Sequence, residues 1–367
     1  MRRNDTFRIN KYKLEGVLAS YYIKYDKLIQ FMNLIGPESW KSVIDVYVDI
    51  YDMVKQLYEL DIYTDKRFSI TASVLNLAAH IRSFFRTRYR IYSRIYLVYG
   101  EDILDNHKKY WPSFNTTGME NTYSYTKIKS LITSQLELVK IMCAYINDVY
   151  FIHKQSDFSM FTFDAITTNT HVNNENLSIV WTKSKYCYQI PADFIGYPVY
   201  LFRPIKTKEG DQSIFVSPTN ALTQYYNKLV PNSNSSIQLK NMSPKLLSLI
   251  MTFNGCEDKR VNGITNIIRA IEILKKAIDD NKLLNNYQSD THYMYEVMIP
   301  LGIASIMDEN TFEYRFKALD VIYQHRIYSQ NIESKDFMWN INLSDPYTMM
   351  EINAKYFTDN PIDLNNF

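Results

Sequence analysis

Apolar residues recur along this chain at two periods, and the change from one to the other lays out its elements. Leu14, Leu18, Tyr21, Tyr22, Tyr25, Leu28, Ile29 and Met32 fall three and four apart, which predicts a helical extension within residues 11–40. Ser42–Ile50 is β-branched and aromatic, the make-up of a buried strand. Ser69–Tyr89 returns to helical spacing, with Val74, Leu77, Ala78, Ile81, Phe84 and Phe85 on its apolar face. Ser93–Tyr99 reads as a second strand closed by Gly100, Lys127–Asn147 as a helix, Val149–His153 as a short strand and Ser159–Ile166 as a helix. Leu177–Trp181 is a strand, and Tyr197–Phe202 and Ser213–Val216 pair around a turn at Lys206–Gly210. Residues 297–330 are helical by the same criterion, and the last forty residues are mixed.

Residues 243–276 predict two amphipathic helices joined by a tight loop. Ser243 is placed to cap the first and Pro244 to open it. Leu246, Leu247, Ile250 and Phe253 mark its apolar face, and Gly255 ends it. The second helix starts near Thr265 or Asn266 and buries Ile267, Ile271 and Leu274. Between them lie Lys259, Arg260, Asn262 and Gly263, a loop that suits a phosphate at a helix N-terminus. A plain helical hairpin accounts for the same pattern.

Composition narrows the field without naming a substrate. The 367 residues carry 46% hydrophobic and 22% charged side chains, a globular balance. The net charge of +2 gives no overall mandate for nucleic acid, so any basic surface is local. Arg82, Arg86 and Arg90 recur four apart and predict one such stripe, with Arg88 and Arg94 nearby. The alternative is a solvated helix face. Asn, Lys, Ile and Tyr are plentiful, as an AT-rich genome encodes, and point to a phage, a virus or an AT-rich bacterium. Cys143, Cys187 and Cys256 lie far apart with no metal-ligand spacing, which suits a reducing, cytoplasmic setting. No secretory leader or membrane-length apolar run is read from the sequence. P-loop, dinucleotide, nucleophile-elbow and zinc-protease motifs are absent.

Several stretches together resemble the 5′-nuclease family of flap endonucleases and polymerase-associated 5′–3′ exonucleases. The run Asn254-Gly255-Cys256-Glu257-Asp258-Lys259-Arg260-Val261-Asn262-Gly263-Ile264 is similar to the family's Gly-Asp-x-Ser-Asp-Asn-Ile-x-Gly-Val, with Lys259 where the family has a metal-binding aspartate. Asp49 falls at the aspartate that ends the family's first strand, and Tyr99 at the one that ends its second. Gln155-Ser156-Asp157-Phe158 runs beside Glu-Ala-Asp and a further acid. Thr182–Ile190 runs beside Ser-x-Asp-x-Asp-x-x-Gln-Leu, with Ser184 and Tyr186 at the aspartates and Gln189-Ile190 in agreement. The resemblance covers roughly residues 42–283.

The resemblance implies an α/β fold, a central, mainly parallel sheet flanked by helices, with a helical DNA-grip region near the C-terminus. It divides the chain into an extension at 1–41, a nuclease-like core at 42–240 with an arch-like segment at 105–126, and the hairpin and tail at 241–367. Phosphodiester hydrolysis in the family uses two metal ions held by about seven carboxylates. The aligned positions here keep two acids, Asp49 and Asp157, which are the candidate metal ligands; Asp258 joins them as a remnant catalytic candidate. The expected function is therefore a catalytically silent relative that binds branched or duplex DNA, or that docks in a phage or viral replication or packaging assembly. Its DNA contacts would be Lys259, Arg260, Asn262, Gly263, Lys275, Lys276, Arg82, Arg86 and Arg90. No cofactor is expected unless the chain is an active nuclease with a rearranged site, which would need Mg²⁺ or Mn²⁺. DNA and other phage, viral or replication proteins are the expected partners, with no membrane and no small-molecule cofactor. A virion component without a nucleic-acid role is the further alternative, and the expected location is the host cytoplasm or the virion.

Overall fold

The computed structural model describes residues 26–36, 43–52, 70–100, 139–140, 143, 148–154, 158–172, 176–204, 206–207, 210–211, 213–231, 234–256, 261 and 263–280. Several expectations lie outside them: the arch-like segment at 105–126, most of the 127–147 helix, Asp157, Asp258, Lys259, Arg260, Asn262, and everything after residue 280.

Among the described residues, six strands form one sheet in the order β3-β2-β1-β4-β5-β8. They are β1 (Val43–Asp49), β2 (Tyr92–Gly100), β3 (Val149–Lys154), β4 (Leu177–Trp181), β5 (Val199–Arg203) and β8 (Ile214–Val216). The first five run parallel, and β8 closes one edge antiparallel to β5. The β5–β8 pairing around 206–210 is the one the sequence predicts, and within that connection β6 (Lys206–Thr207) and β7 (Gly210–Asp211) add a small hairpin of their own. The mainly parallel α/β expectation is met by this strand order.

Burial explains why β1, buried on both faces along with its interior Asp45, shows no regular apolar–polar alternation. A central parallel strand is covered on both faces, so it loses the alternation of a half-exposed strand. Tyr47 faces one apolar cluster and Val46 and Val48 the other. The first cluster holds α3 (Phe158–Val172), the short α4 (Gln189–Asp193), α5 (Ala221–Leu229), α7 (Leu247–Asn254) and α8 (Ile267–Asp279). A four-residue α6 (Ser235–Gln238) precedes α7. The second cluster holds α1 (Asp26–Ile35) and α2 (Ile70–Phe84). Phe31 of α1 stacks on Phe215 at 3.9 Å and meets Tyr200 edge-on at 4.7 Å. The N-terminal helix thus covers the β5–β8 end of the sheet.

Aromatic pairs lock the register on the first face. Tyr47 pairs with Tyr96, and Tyr96 with Tyr150, so three rings line up across β1, β2 and β3. Their centroids are 4.9 and 5.1 Å apart, near-parallel stacking that adds to plain burial. One step toward the N-terminal edge, Arg94 donates twice to Asp45, at 2.6 and 2.7 Å, across the same register. Asp45 is fully buried; burial pushes its carboxyl up, while the Arg94 hydrogen bonds and charge pull it back.

Candidate functional site

Strand order places a cleft before any side chain is considered. β1 pairs with β2 on one side and β4 on the other, so successive connections leave β1 in opposite directions. Open α/β sheets gather functional groups at the carboxyl ends of strands beside such a reversal. Asp49 is the last residue of β1 and stands at that edge. Its Oδ1 accepts from the Asp52 amide at 3.2 Å, capping the turn that follows, and its Oδ2 accepts from Thr182 Oγ1 at 3.0 Å. The Thr182 hydroxyl in turn accepts from the Ser184 amide at 3.1 Å, and Asp52 Oδ2 accepts from the Lys183 amide at 2.8 Å. The carboxyl ends of the parallel neighbours β1 and β4 are thereby laced by carboxylates.

The same edge turns basic within a few residues. Arg203, the last residue of β5, donates Nε to the Lys183 carbonyl at 2.5 Å. Lys228, in the last turn of α5, has its pKa lowered by partial burial and then by the positive charges of Arg203 and Lys185. Toward β3, the Tyr99 ring lies 5.2 Å from the ring of the exposed His153. Tyr99, one residue before the end of β2, is buried.

Among the described residues no group of three or more His, Cys, Asp or Glu side chains converges. Asp49 and Asp52 are described carboxylates of the cleft, and at least three of their four oxygens already accept hydrogen bonds from the chain itself. A pair of divalent ions needs a larger set of hard oxygen ligands, so the described donors do not fit a two-metal centre.

The helical hairpin forms where the sequence places it. Ser243 Oγ accepts from the Lys245 amide at 3.3 Å, with Pro244 in the first position. Gly255 ends α7 at φ 77°. Cys256 and Val261 then form a two-residue bridge, their amides and carbonyls 2.9 and 3.1 Å apart. Asn266 Oδ1 caps α8 by accepting from the Arg269 amide at 2.9 Å. Gly263 sits with the Asn254 carbonyl oxygen 2.3 Å from where a β-carbon would be. Its close approach is thus to the chain's own α7. On α8, Lys276 is exposed and Lys275 half-buried.

The arginine stripe is altered. Arg82 pairs with Asp148 at 3.2 Å, its side chain 11% exposed, and Asp148 also accepts from the Tyr92 hydroxyl. After Phe84 the helix widens to a π turn over Phe85–Tyr89, and Arg90 follows in the left-handed region at φ 57°. Arg86 and Arg90 remain exposed, together with Arg88.

Sequence reasoning missed Asp52, Thr182, Lys183, Arg203 and Lys228. Asp52 follows Asp49 at capping distance, and Thr182-Lys183-Ser184-Lys185 follows β4 directly, so both carried a local signal. Arg203 and Lys228 had none, because only the fold brings them to this edge.

No family model matches the chain, and no curated protein matches it. Solved structures from bacteriophage T5 are similar to it. The T5 D15 protein crystallised with metal ions aligns at TM-score 0.47 and 11% identity, over 84% of this chain and 98% of that one. T5 5′-exonuclease with bound zinc gives 0.46 and 11%, over 86% and 99%. A pseudo-enzyme–product complex of the T5 flap endonuclease with DNA and metal ions gives 0.47 and 10%, over 84% and 98%.

Proposed function

We propose that this chain is a 5′-nuclease-like protein that grips branched or duplex DNA without cutting it, in a phage or viral replication or packaging assembly. The carrying observation is the state of the cleft at the carboxyl ends of β1 and β4. Asp49 and Asp52 are engaged in tying the two strands together, and in the segment after β4 Ser184 and Tyr186 stand at the positions aligned with acids, flanked by Lys183 and Lys185. The hairpin at 243–276 supports the DNA role, with two packed helices, a capped α8 and Lys275 and Lys276 toward its end. Lys259, Arg260, Asn262 and Gly263 of the intervening loop, and Arg86 and Arg90 beyond α2, complete the proposed contacts; Arg82 serves instead to hold Asp148.

Gel retardation of flap, nicked and plain duplex DNA at rising salt tests the proposal. Binding should weaken steeply with salt, because neutralised phosphates release counterions. Binding that ignores salt, or none to any DNA structure, overturns it.

A second reading is favoured by the presence of Asp49 and Asp52 together at the cleft: a metal-dependent 5′–3′ exonuclease or flap endonuclease with a rearranged site that also uses Asp157 and Asp258. Cleavage in Mg²⁺ or Mn²⁺ that disappears in Asp49→Ala would establish it.

A further inference from the structure

Arg203 is the odd group in this edge of the sheet. The residue is 8% exposed, and its Nε is satisfied by the Lys183 carbonyl. Its Nη1 is buried with no hydrogen-bond partner. A guanidinium nitrogen taken from water and left unpaired is costly, and native structures leave few such groups. The surroundings raise the cost. Arg203 stands at the end of β5, Lys185 in the segment after β4, and Lys228 in the last turn of α5, and the charges that act on Lys228 are both positive. Three elements therefore bring cations near one another: α5 packs against the turn that Lys185 opens, and the charges of Arg203 and Lys185 both act on Lys228. An anion with several acceptor oxygens would satisfy the orphan nitrogen and offset the repulsion at once.

We propose that Arg203, Lys185 and Lys228 form a phosphate-binding subsite at the carboxyl ends of β4 and β5, separate from the helical hairpin. Its ligand is a tetrahedral phosphate, met as a terminal phosphate monoester of a nucleic acid, as a backbone phosphodiester, or free. A planar guanidinium suits two of its oxygens and the lysines act as point charges. The subsite extends the DNA role proposed above. It stands apart from that role in one respect, since it predicts binding of phosphate alone.

The test uses the full chain and Lys228→Gln, a substitution at an exposed position, with Lys185→Gln as a second variant. Thermal unfolding is followed in inorganic phosphate against chloride of equal ionic strength. Phosphate should raise the midpoint of the parent protein and lose most of that effect in Lys228→Gln. In parallel, duplex DNA with a 5′-phosphate or a 5′-hydroxyl end is titrated at several salt concentrations. A terminal monoester in the subsite gives a several-fold preference for the phosphorylated end that Lys228→Gln abolishes. A backbone phosphodiester instead lowers the salt slope by about one in that variant, with no end preference. A phosphate response without DNA binding keeps the subsite and removes the DNA role. If both variants match the parent in phosphate response, end preference and salt slope, the subsite is refuted.

Discussion

A β-carbon at position 263 would overlap the Asn254 carbonyl oxygen, and that oxygen belongs to the backbone of a packed helix. Neither side can move cheaply, so Gly263→Ala should destabilise the fold by about 1–3 kcal/mol, as overpacking does. A urea midpoint unchanged from the parent would contradict this. Asp49 offers a second residue-scale test. Its two oxygens cap one turn and hold Thr182, so Asp49→Ala should cost about 1–2 kcal/mol of stability whether or not the residue serves chemistry. Circular-dichroism melts of Asp49→Ala and Thr182→Val should both shift down, because each breaks the same hydrogen bond. An Asp49→Ala protein as stable as the parent would show that the carboxylate lacks this structural role.

Between elements, the strongest commitments cross β1 and β2. Arg94 reaches Asp45 with two hydrogen bonds inside the sheet, and a bidentate pair of this kind depends on both partners. Burial opposes the charge on Arg94, and the Asp45 hydrogen bonds and charge outweigh it, holding the guanidinium ionised. Arg94→Met would strand a buried carboxylate and should cost about 3–5 kcal/mol. Denaturant titration of Arg94→Met with Asp45→Leu should recover much of that loss, whereas additive losses would mean the two side chains do not act as a pair. The tyrosine row beside them predicts a pH response. Burial raises the phenols of Tyr96 and Tyr150 above their ordinary 10.0. The folded chain then holds those protons more tightly than the unfolded chain. Stability is full below about pH 10 and falls as pH rises past it. Tyrosinate absorbance followed against unfolding would show ionisation and loss of structure together; tyrosines that titrate near 10 in a fully folded protein would contradict this. Element positions were legible because apolar spacing is a backbone-scale property. β1, β2, β4 and the α7–α8 hairpin could be read from it. The π turn at Phe85–Tyr89 could not, because nothing in Phe-Arg-Thr-Arg-Tyr distinguishes a widened turn from an ordinary one.

For the whole molecule, the sheet order puts the reversal between β1 and β4, and the charge along that edge follows from it. Acidic groups sit at β1, basic groups at β4, β5 and α5, and the Lys183 backbone joins them by accepting from Arg203 and donating to Asp52. The sequence reading located Asp49 because it ends a strand. It did not find the basic half, because Lys185, Arg203 and Lys228 lie far apart in the chain and meet only after α5 folds back. The same distinction explains Arg82, which spacing placed on a DNA-facing stripe and the fold turned toward Asp148.

The central claim is that this scaffold holds DNA without cleaving it, and one reaction tests it most directly. A labelled flap duplex is incubated with the purified chain and Mn²⁺, then split between a native and a denaturing gel. The account predicts a salt-sensitive shift on the first and full-length strand on the second. Shortened product that vanishes in Asp49→Ala would contradict it.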